Sequence, residues 1–367
     1  MSEPIRVGIV STSWWADLMY LPSLQNHPSA EIVAICGRNR ARADEMARKY
    51  GIPHVFTDYR TLIAEGNLQA LIVATPDDLH FPITMQALEA GLHVLCEKPL
   101  ALNGGQARAM WEKAEAMGVK HMVLFTWRWL PHLQYLHHLL AQGYIGRCLH
   151  CQFTFLSGYA RSHQYEWQFD PQRGTGVLGN LGAHTIDLAH WYVGDIANVS
   201  AQLRAYYPRV DSNGQPFAQT NDAAVLAVGF ANGAQGALQA SAVTHLGAGR
   251  TALHVALHGE DGTLEADVLY DGVTPREPQL RGVRHDEKGL QVLPVPATFL
   301  SEETRADFAA GQSLKLFSKQ PVGSRQFINA IVADQPISPN FYDGFKAQAV
   351  IDAAMESHRT GHRISVG

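Results

Sequence analysis

Apolar residues in the first third of the chain come in short runs separated by amphipathic segments. Ile5-Arg6-Val7-Gly8-Ile9-Val10 predicts a strand, and Trp14 to Gln25 predicts the helix behind it. Glu31–Cys36, His54–Phe56, Gln69–Ala74, Leu92–Cys96 and Lys120–Phe125 predict further strands. Helices are predicted between them over Ala41–Tyr50, Tyr59–Ala64, His80–Ala90 and Ala107–Met117. Strands alternating with helices of this length imply βαβ units, right-handed crossovers and a parallel sheet. Near-continuous apolar strands such as Leu71-Ile72-Val73-Ala74 fit a sheet covered on both faces.

After Phe125 the rhythm changes. Strand-like runs follow at Cys148–Leu156, Val199–Tyr206, Ala223–Phe230, Gly236–Val243, Ala252–His258 and Gly262–Val268. Several are joined by short turns such as Ala231-Asn232-Gly233, which implies hairpins and a mainly antiparallel sheet. Alternation along Thr251–His258 suits a sheet with one face on helices, the other needing cover from a second subunit. The fold class expected is therefore α/β. A Rossmann-type, doubly wound domain over 1–124 precedes an α+β domain with a large open sheet over 125–367.

Composition narrows the function. A chain of 367 residues exceeds what one core usually serves. At 46 % hydrophobic and 17 % charged it is globular, and a net charge of −5 with no dense Lys/Arg run excludes a nucleic-acid footprint. The N-terminus runs straight into a strand and no apolar stretch reaches spanning length, so a cytoplasmic protein without membrane contact is expected. The four cysteines are too scattered for a disulfide framework. Cys148 and Cys151, three apart on a strand, point to opposite faces, so no metal site is expected.

Candidate chemistry concentrates at strand ends. Lys98, in Glu97-Lys98-Pro99, follows a strand and falls where open α/β sheets bind ligands at their carboxyl edge. The first βα turn, Ser11-Thr12-Ser13-Trp14-Trp15-Ala16, has small residues where a dinucleotide fingerprint carries glycines. Its hydroxyls can donate to phosphate oxygens, or simply cap the helix. The second strand ends Cys36-Gly37-Arg38 with no acidic residue, so Arg38 favours NADP(H) over NAD(H). Farther on, Val177–Tyr192 predicts a helix with Asn180, His184 and Asp187 at i, i+4 and i+7 on one face. The loop Ser157–Tyr165, with Tyr159 and Arg161, suits a polyhydroxylated ligand or is an ordinary polar loop.

Taken in order, these landmarks resemble the glucose–fructose oxidoreductase, inositol dehydrogenase and rhizopine-catabolism family (Gfo/Idh/MocA). They are Ser11–Ala16, Ala74-Thr75-Pro76-Asp77-Asp78-Leu79-His80, Glu97-Lys98-Pro99, Trp127-Arg128-Trp129-Leu130-Pro131, Trp167-Gln168-Phe169-Asp170-Pro171 and Gly182-Ala183-His184-Thr185-Ile186-Asp187. The resemblance implies a nicotinamide-dependent oxidoreductase acting on a sugar, polyol or cyclitol, with Lys98 and His184 as the catalytic pair. It implies that Thr75, Pro76, His80 and Glu97 line the cofactor cleft, with Arg128 and Trp167 near the nicotinamide. A homodimer or homotetramer through the C-terminal sheet follows from the same resemblance.

The chain departs from the family pattern in places. Ser11 and Ser13 replace fingerprint glycines, and Asp77 stands where Asn is common. Asn180 stands where many members carry an Asp that works with the histidine, and an amide cannot ionise. Two alternatives stay open at this point: a nicotinamide-dependent glycoside hydrolase of the same fold, and a non-catalytic cofactor-binding sensor.

Overall fold

The computed structural model describes residues 3–211, 213–247, 250–270 and 277–367. They form two compact units: the chain up to Phe125 with Leu314–Lys346, and Thr126–Ser313 with Ala347–Gly367.

The first unit runs β1 (Ile5–Val10), α1 (Leu21–Gln25), β2 (Ala30–Cys36), α2 (Arg40–Tyr50), β3 (His54–Phe56), α3 (Tyr59–Glu65), β4 (Ala70–Val73), α4 (His80–Glu89), β5 (His93–Cys96), α5 (Gly104–Met117) and β6 (His121–Val123). Its six-stranded sheet has the order β3-β2-β1-β4-β5-β6, with every pairing parallel. The order reverses between β1 and β4, the switch point at which such sheets bind ligands. Leu71 and Val73 pack with Ile83, Leu88 and Met110 on one face. Ile72 and Leu95, in the alternate register, are equally buried. That is why these strands read as unbroken apolar runs.

The division at residue 124 expected from the sequence differs from the structure in one segment. Leu314–Lys346 returns to the first unit. The Ser23 hydroxyl donates to the Phe317 carbonyl at 2.7 Å and meets the Ser324 hydroxyl at 2.8 Å. The helix Ser324–Ala333 buries Phe327 and Ile328, and Phe345 stacks on Trp111. Such long-range packing leaves no local pattern to read.

The second unit holds α6 (Pro131–Ala141), β7 (Cys148–Ser157), α7 (Ala183–Tyr192), β8 (Ile196–Arg204), β9 (Ala223–Phe230), β10 (Gln235–Ser241), β11 (Thr251–Gly259), β12 (Gly262–Tyr270), β13 (Gln279–Arg284), β14 (Gln291–Val292) and β15 (Ile364–Ser365). Its nine-stranded sheet has the order β14-β13-β12-β11-β7-β10-β9-β8-β15. The pair β7 and β10 is parallel and the others are antiparallel. Across it, Leu226, Leu238, Phe153, Val255, Ala266 and Leu280 lie in register, and all are buried. From α7, Tyr192 stacks near Phe153 and His184 near Phe155, so that helix covers the apolar face. Val225, Gln239, Thr154, His254 and Asp267 make the matching row on the other face. Val225 is 52 % exposed there.

Candidate functional site

The first unit brings most of its expected residues to the carboxyl edge of the parallel sheet. Ser11 follows β1, Gly37 and Arg38 follow β2, Thr75 follows β4, and Glu97 and Lys98 follow β5. In the first turn the Ser11 and Ser13 hydroxyls meet at 2.9 Å, and the Ser13 hydroxyl accepts from the Ala16 amide at 3.2 Å. These two hydroxyls therefore brace the turn. Thr12, Arg38 and Asn39 line one open pocket. Beside Arg38, Gly37 packs closely on Thr12, because a Cβ on Gly37 would lie 2.3 Å from the Thr12 methyl.

Glu97 is the hub of this edge. Its Oε1 accepts from the Trp15 indole and, at 2.7 Å, from the Tyr20 hydroxyl. Its Oε2 accepts from the Lys98 amide at 3.1 Å. Tyr20 was absent from the expected set for a geometric reason. In an α-helix residues five apart are rotated about 140° from one another. Here Ala16–Tyr20 is a π-type turn, whose i→i+5 bonding brings Trp15 and Tyr20 to one carboxylate.

Lys98 is half-buried. Burial lowers its pKa below the ordinary lysine value, against the opposing pull of the Glu97 and Asp77 carboxylates. Burial likewise pushes the Asp77 carboxyl well up, while the Lys98 ammonium pulls it down. Asp77 and Lys98 are neighbours because β4 and β5 pair in register through Val73 and Cys96. His80 is fully buried. Its ring nitrogens meet the Pro99 carbonyl at 2.8 Å and the Thr75 carbonyl at 3.0 Å. It ties the two loops together from behind, and burial lowers its pKa against the two carbonyl contacts, which raise it.

Two features fit a bound dinucleotide at this edge. The buried Thr75 hydroxyl has no hydrogen-bond partner among the described residues, although it sits beside the switch point. The bare Gly37 position leaves room for the Thr12 side chain to pack where a ribose would lie.

The second unit assembles its own set of side chains. A π-type turn, Leu178–Gly182, leads into α7. Asn180 lies on that turn and donates through Nδ2 to the Tyr159 hydroxyl at 2.7 Å and the Gln168 amide oxygen at 3.3 Å. His184 is buried against the rings of Trp127 and Phe155. Asp187 takes a two-pronged ion pair from Arg128, Nε to Oδ2 at 2.8 Å and Nη2 to Oδ1 at 2.6 Å. Arg128 is itself buried, so it anchors α7 one turn beyond His184. Trp167 opens a short 3-10 turn ending at Phe169, and Arg161 is exposed with Nε donating to the Tyr207 hydroxyl at 3.3 Å.

Sequence reasoning missed what holds this set. The Asn221 side chain accepts from the Leu178 amide at 2.9 Å, and its backbone carbonyl accepts from the Val177 amide at 2.9 Å. A remote residue thus caps the helix start. Gly176 has φ +70°, and a Cβ there would lie 2.4 Å from that same carbonyl. Cys151 is buried while Cys148 is less so, the opposite-face arrangement expected of their spacing. Among the described residues no group of His, Cys, Asp and Glu is arranged to hold a metal ion. No helix among them is long and apolar enough to cross a membrane.

Comparison with known proteins agrees with this architecture. Residues 5–125 match the model of the Gfo/Idh/MocA oxidoreductase family, NAD-binding Rossmann fold, and residues 133–265 match the Gfo/Idh/MocA C-terminal domain. The chain is 28 % identical to levoglucosan dehydrogenase of Pseudarthrobacter phenanthrenivorans, covering 88 % of this chain and 86 % of that protein. It is 27 % identical to an NADP⁺-linked scyllo-inositol 2-dehydrogenase of Bacillus subtilis, covering 80 % and 83 % respectively. A structure of levoglucosan dehydrogenase with NADH and levoglucosan superposes with a TM-score of 0.84 at 24 % identity, over 99 % of this chain and 100 % of that one. The two family models together span more than half of the residues. This chain belongs to the Gfo/Idh/MocA family of nicotinamide-dependent oxidoreductases.

Proposed function

We propose that the protein is a dehydrogenase or reductase acting on a carbinol or carbonyl of a sugar, polyol or cyclitol, with Lys98 and His184 as the proton-handling groups. The observation that carries this reading is Lys98 itself. A lysine becomes useful as a proton acceptor only when its pKa is lowered, and burial at the sheet's carboxyl edge lowers that of Lys98. Relatives named for levoglucosan and scyllo-inositol support the substrate class.

The nicotinamide, when bound, supplies hydride acceptance or donation. The chain's own residues do the rest. The Ser11–Trp15 turn with Thr75 and Pro76 holds the dinucleotide, and Glu97 braces the turn through Trp15 and Tyr20. Lys98 Nζ takes the hydroxyl proton in oxidation and returns it in reduction. His184, held in place by neighbouring rings, orients the substrate or shares the proton. Tyr159, Arg161 and Asn180 bind the substrate hydroxyls. Because Asn180 cannot ionise, proton transfer falls to Lys98 and His184.

Arg38 at the pocket lined with Thr12 and Asn39 supports a preference for NADP(H), since a guanidinium there accommodates a 2′-phosphate. The relatives divide on this point, one being NADP⁺-linked and one binding NADH. Arg38→Ala should therefore cost about tenfold in kcat/KM with NADP⁺ and leave NAD⁺ turnover nearly unchanged. An equal loss with both cofactors would refute the preference. The exposed mixed face of the nine-stranded sheet supports assembly into a homodimer or homotetramer.

The deciding experiment is a panel of sugars and cyclitols assayed by reduced-nicotinamide absorbance, with Lys98→Met alongside. Turnover should fall about 10²–10⁴-fold in the variant, with NADPH affinity nearly kept. Glycoside cleavage without net cofactor turnover, or cofactor binding with no chemistry on any substrate, would replace the reading.

A further inference from the structure

Arg209 is among the largest fully buried side chains of the molecule. Its Nη1 lies 3.5 Å from Asp222 Oδ2, with both side chains wholly inaccessible. Asp222 also accepts from the Tyr206 amide at 2.9 Å and the Tyr207 amide at 3.1 Å. A charge pair removed this fully from water gains little net stability, because desolvation offsets the Coulomb attraction. Its position points to another role.

The guanidinium reaches both arms that hold Asn180. Nη2 donates to the Ala160 carbonyl at 2.7 Å, one residue beyond Tyr159. The guanidinium carbon stacks 3.7 Å above the Phe169 ring, one residue beyond Gln168. Tyr159 and Gln168 both accept from the Asn180 amide. Nη1 also donates to Gln219 Oε1 at 3.0 Å, and the adjoining Thr220 amide donates to the Phe169 carbonyl at 2.8 Å.

We propose that the buried Arg209–Asp222 pair is a positioning device for substrate recognition: its guanidinium fork locks the Ala160 carbonyl and the Phe169 ring so that Tyr159 and Gln168 hold Asn180 in one rotamer. A planar fork meets a carbonyl, a carboxylate, an amide oxygen and a ring face at once, which no ammonium does. The functional half of this inference rests on the proposed role of Tyr159 and Asn180 in binding the sugar; the mechanical half does not.

The test uses the full chain as wild type, Arg209→Lys, Gln219→Ala and Tyr159→Phe. Hydrogen–deuterium exchange should run about tenfold faster over 158–170 in Arg209→Lys, with the nine-stranded sheet unchanged. Gln219→Ala, which leaves the charge pair intact, should give a smaller change over the same residues. With levoglucosan and scyllo-inositol as probes, KM should rise about tenfold in Arg209→Lys while kcat changes far less, as loss of positioning dictates. The combination with Tyr159→Phe should be no worse than the poorer single variant, because both act through one clasp. Unchanged exchange over 158–170, or protection lost evenly across the whole unit, would overturn the proposal. A wild-type chain that turns over neither sugar would count against the proposed substrate class, and the exchange comparison would still decide the positioning role.

Discussion

Lys98 is held between burial, which disfavours its charge, and two carboxylates, which favour it. The Asp77 carboxylate raises the lysine's pKa and the Lys98 ammonium lowers that of the carboxyl, both against the larger effect of burial. If, as proposed, the free amine accepts the proton in oxidation, kcat/KM should rise with pH through an apparent pKa below the ordinary 10.5. Asp77→Asn removes a carboxylate that favours the ammonium. The rising limb should then move to lower pH, read from a kcat/KM–pH profile, and an unmoved limb would separate Asp77 from the lysine's electrostatics. Lys98 itself was legible from its tripeptide at a strand end. The inward direction of Glu97 was not, because it depends on Trp15 and Tyr20, which reach it only across a π-type turn.

At the scale of elements, each unit has a helix that carries candidate residues and contains a π-type turn, Ala16–Tyr20 in the first and Leu178–Gly182 in the second. Wider turns of this kind are common at functional sites because they re-aim side chains without ending the helix. The periodicity of Val177–Tyr192 put Asn180, His184 and Asp187 on one face. In the structure Asn180 meets Tyr159 and Gln168, His184 meets aromatic rings, and Asp187 meets Arg128. The helix start depends on Asn221, which lies outside its own segment. Asn221→Ala should lower stability by about 1–3 kcal/mol through the buried groups it leaves unpaired, measured by urea unfolding. Gly176→Ala should cost at least as much, since it combines a positive φ with a clash against the Asn221 carbonyl. A thermal midpoint equal to wild type in either variant would contradict this account.

For the whole molecule, the first unit is completed by chain from near the C-terminus. The Arg325 guanidinium donates to the Ser23 carbonyl at 2.8 Å, and the Phe341 amide donates to His121 Nδ1 at 3.1 Å. A fragment ending at Phe125 would expose the surface covered by Phe317, Phe327 and Ile328, all buried in the full chain. It should fail to unfold cooperatively by circular dichroism, whereas the full chain should melt in a defined transition. A fragment with a sharp transition of its own would show that Leu314–Lys346 adds nothing essential to the first unit.

The amino-acid sequence alone determined the alternation of strands and helices, the parallel sheet, the hairpins of the second half and the order of the family landmarks. Each of these is written in local periodicity or in residues fixed at strand ends. Tertiary structure alone decided that β7 inserts between β10 and β11, that Leu314–Lys346 belongs with the first unit, that Asn221 caps the start of the Asn180 helix, and that Arg209 and Asp222 pair in the interior. These are contacts between residues far apart along the chain. Their energies come from burial and from hydrogen bonds closed across long loops, and neither leaves a period in the sequence that a local reading could detect.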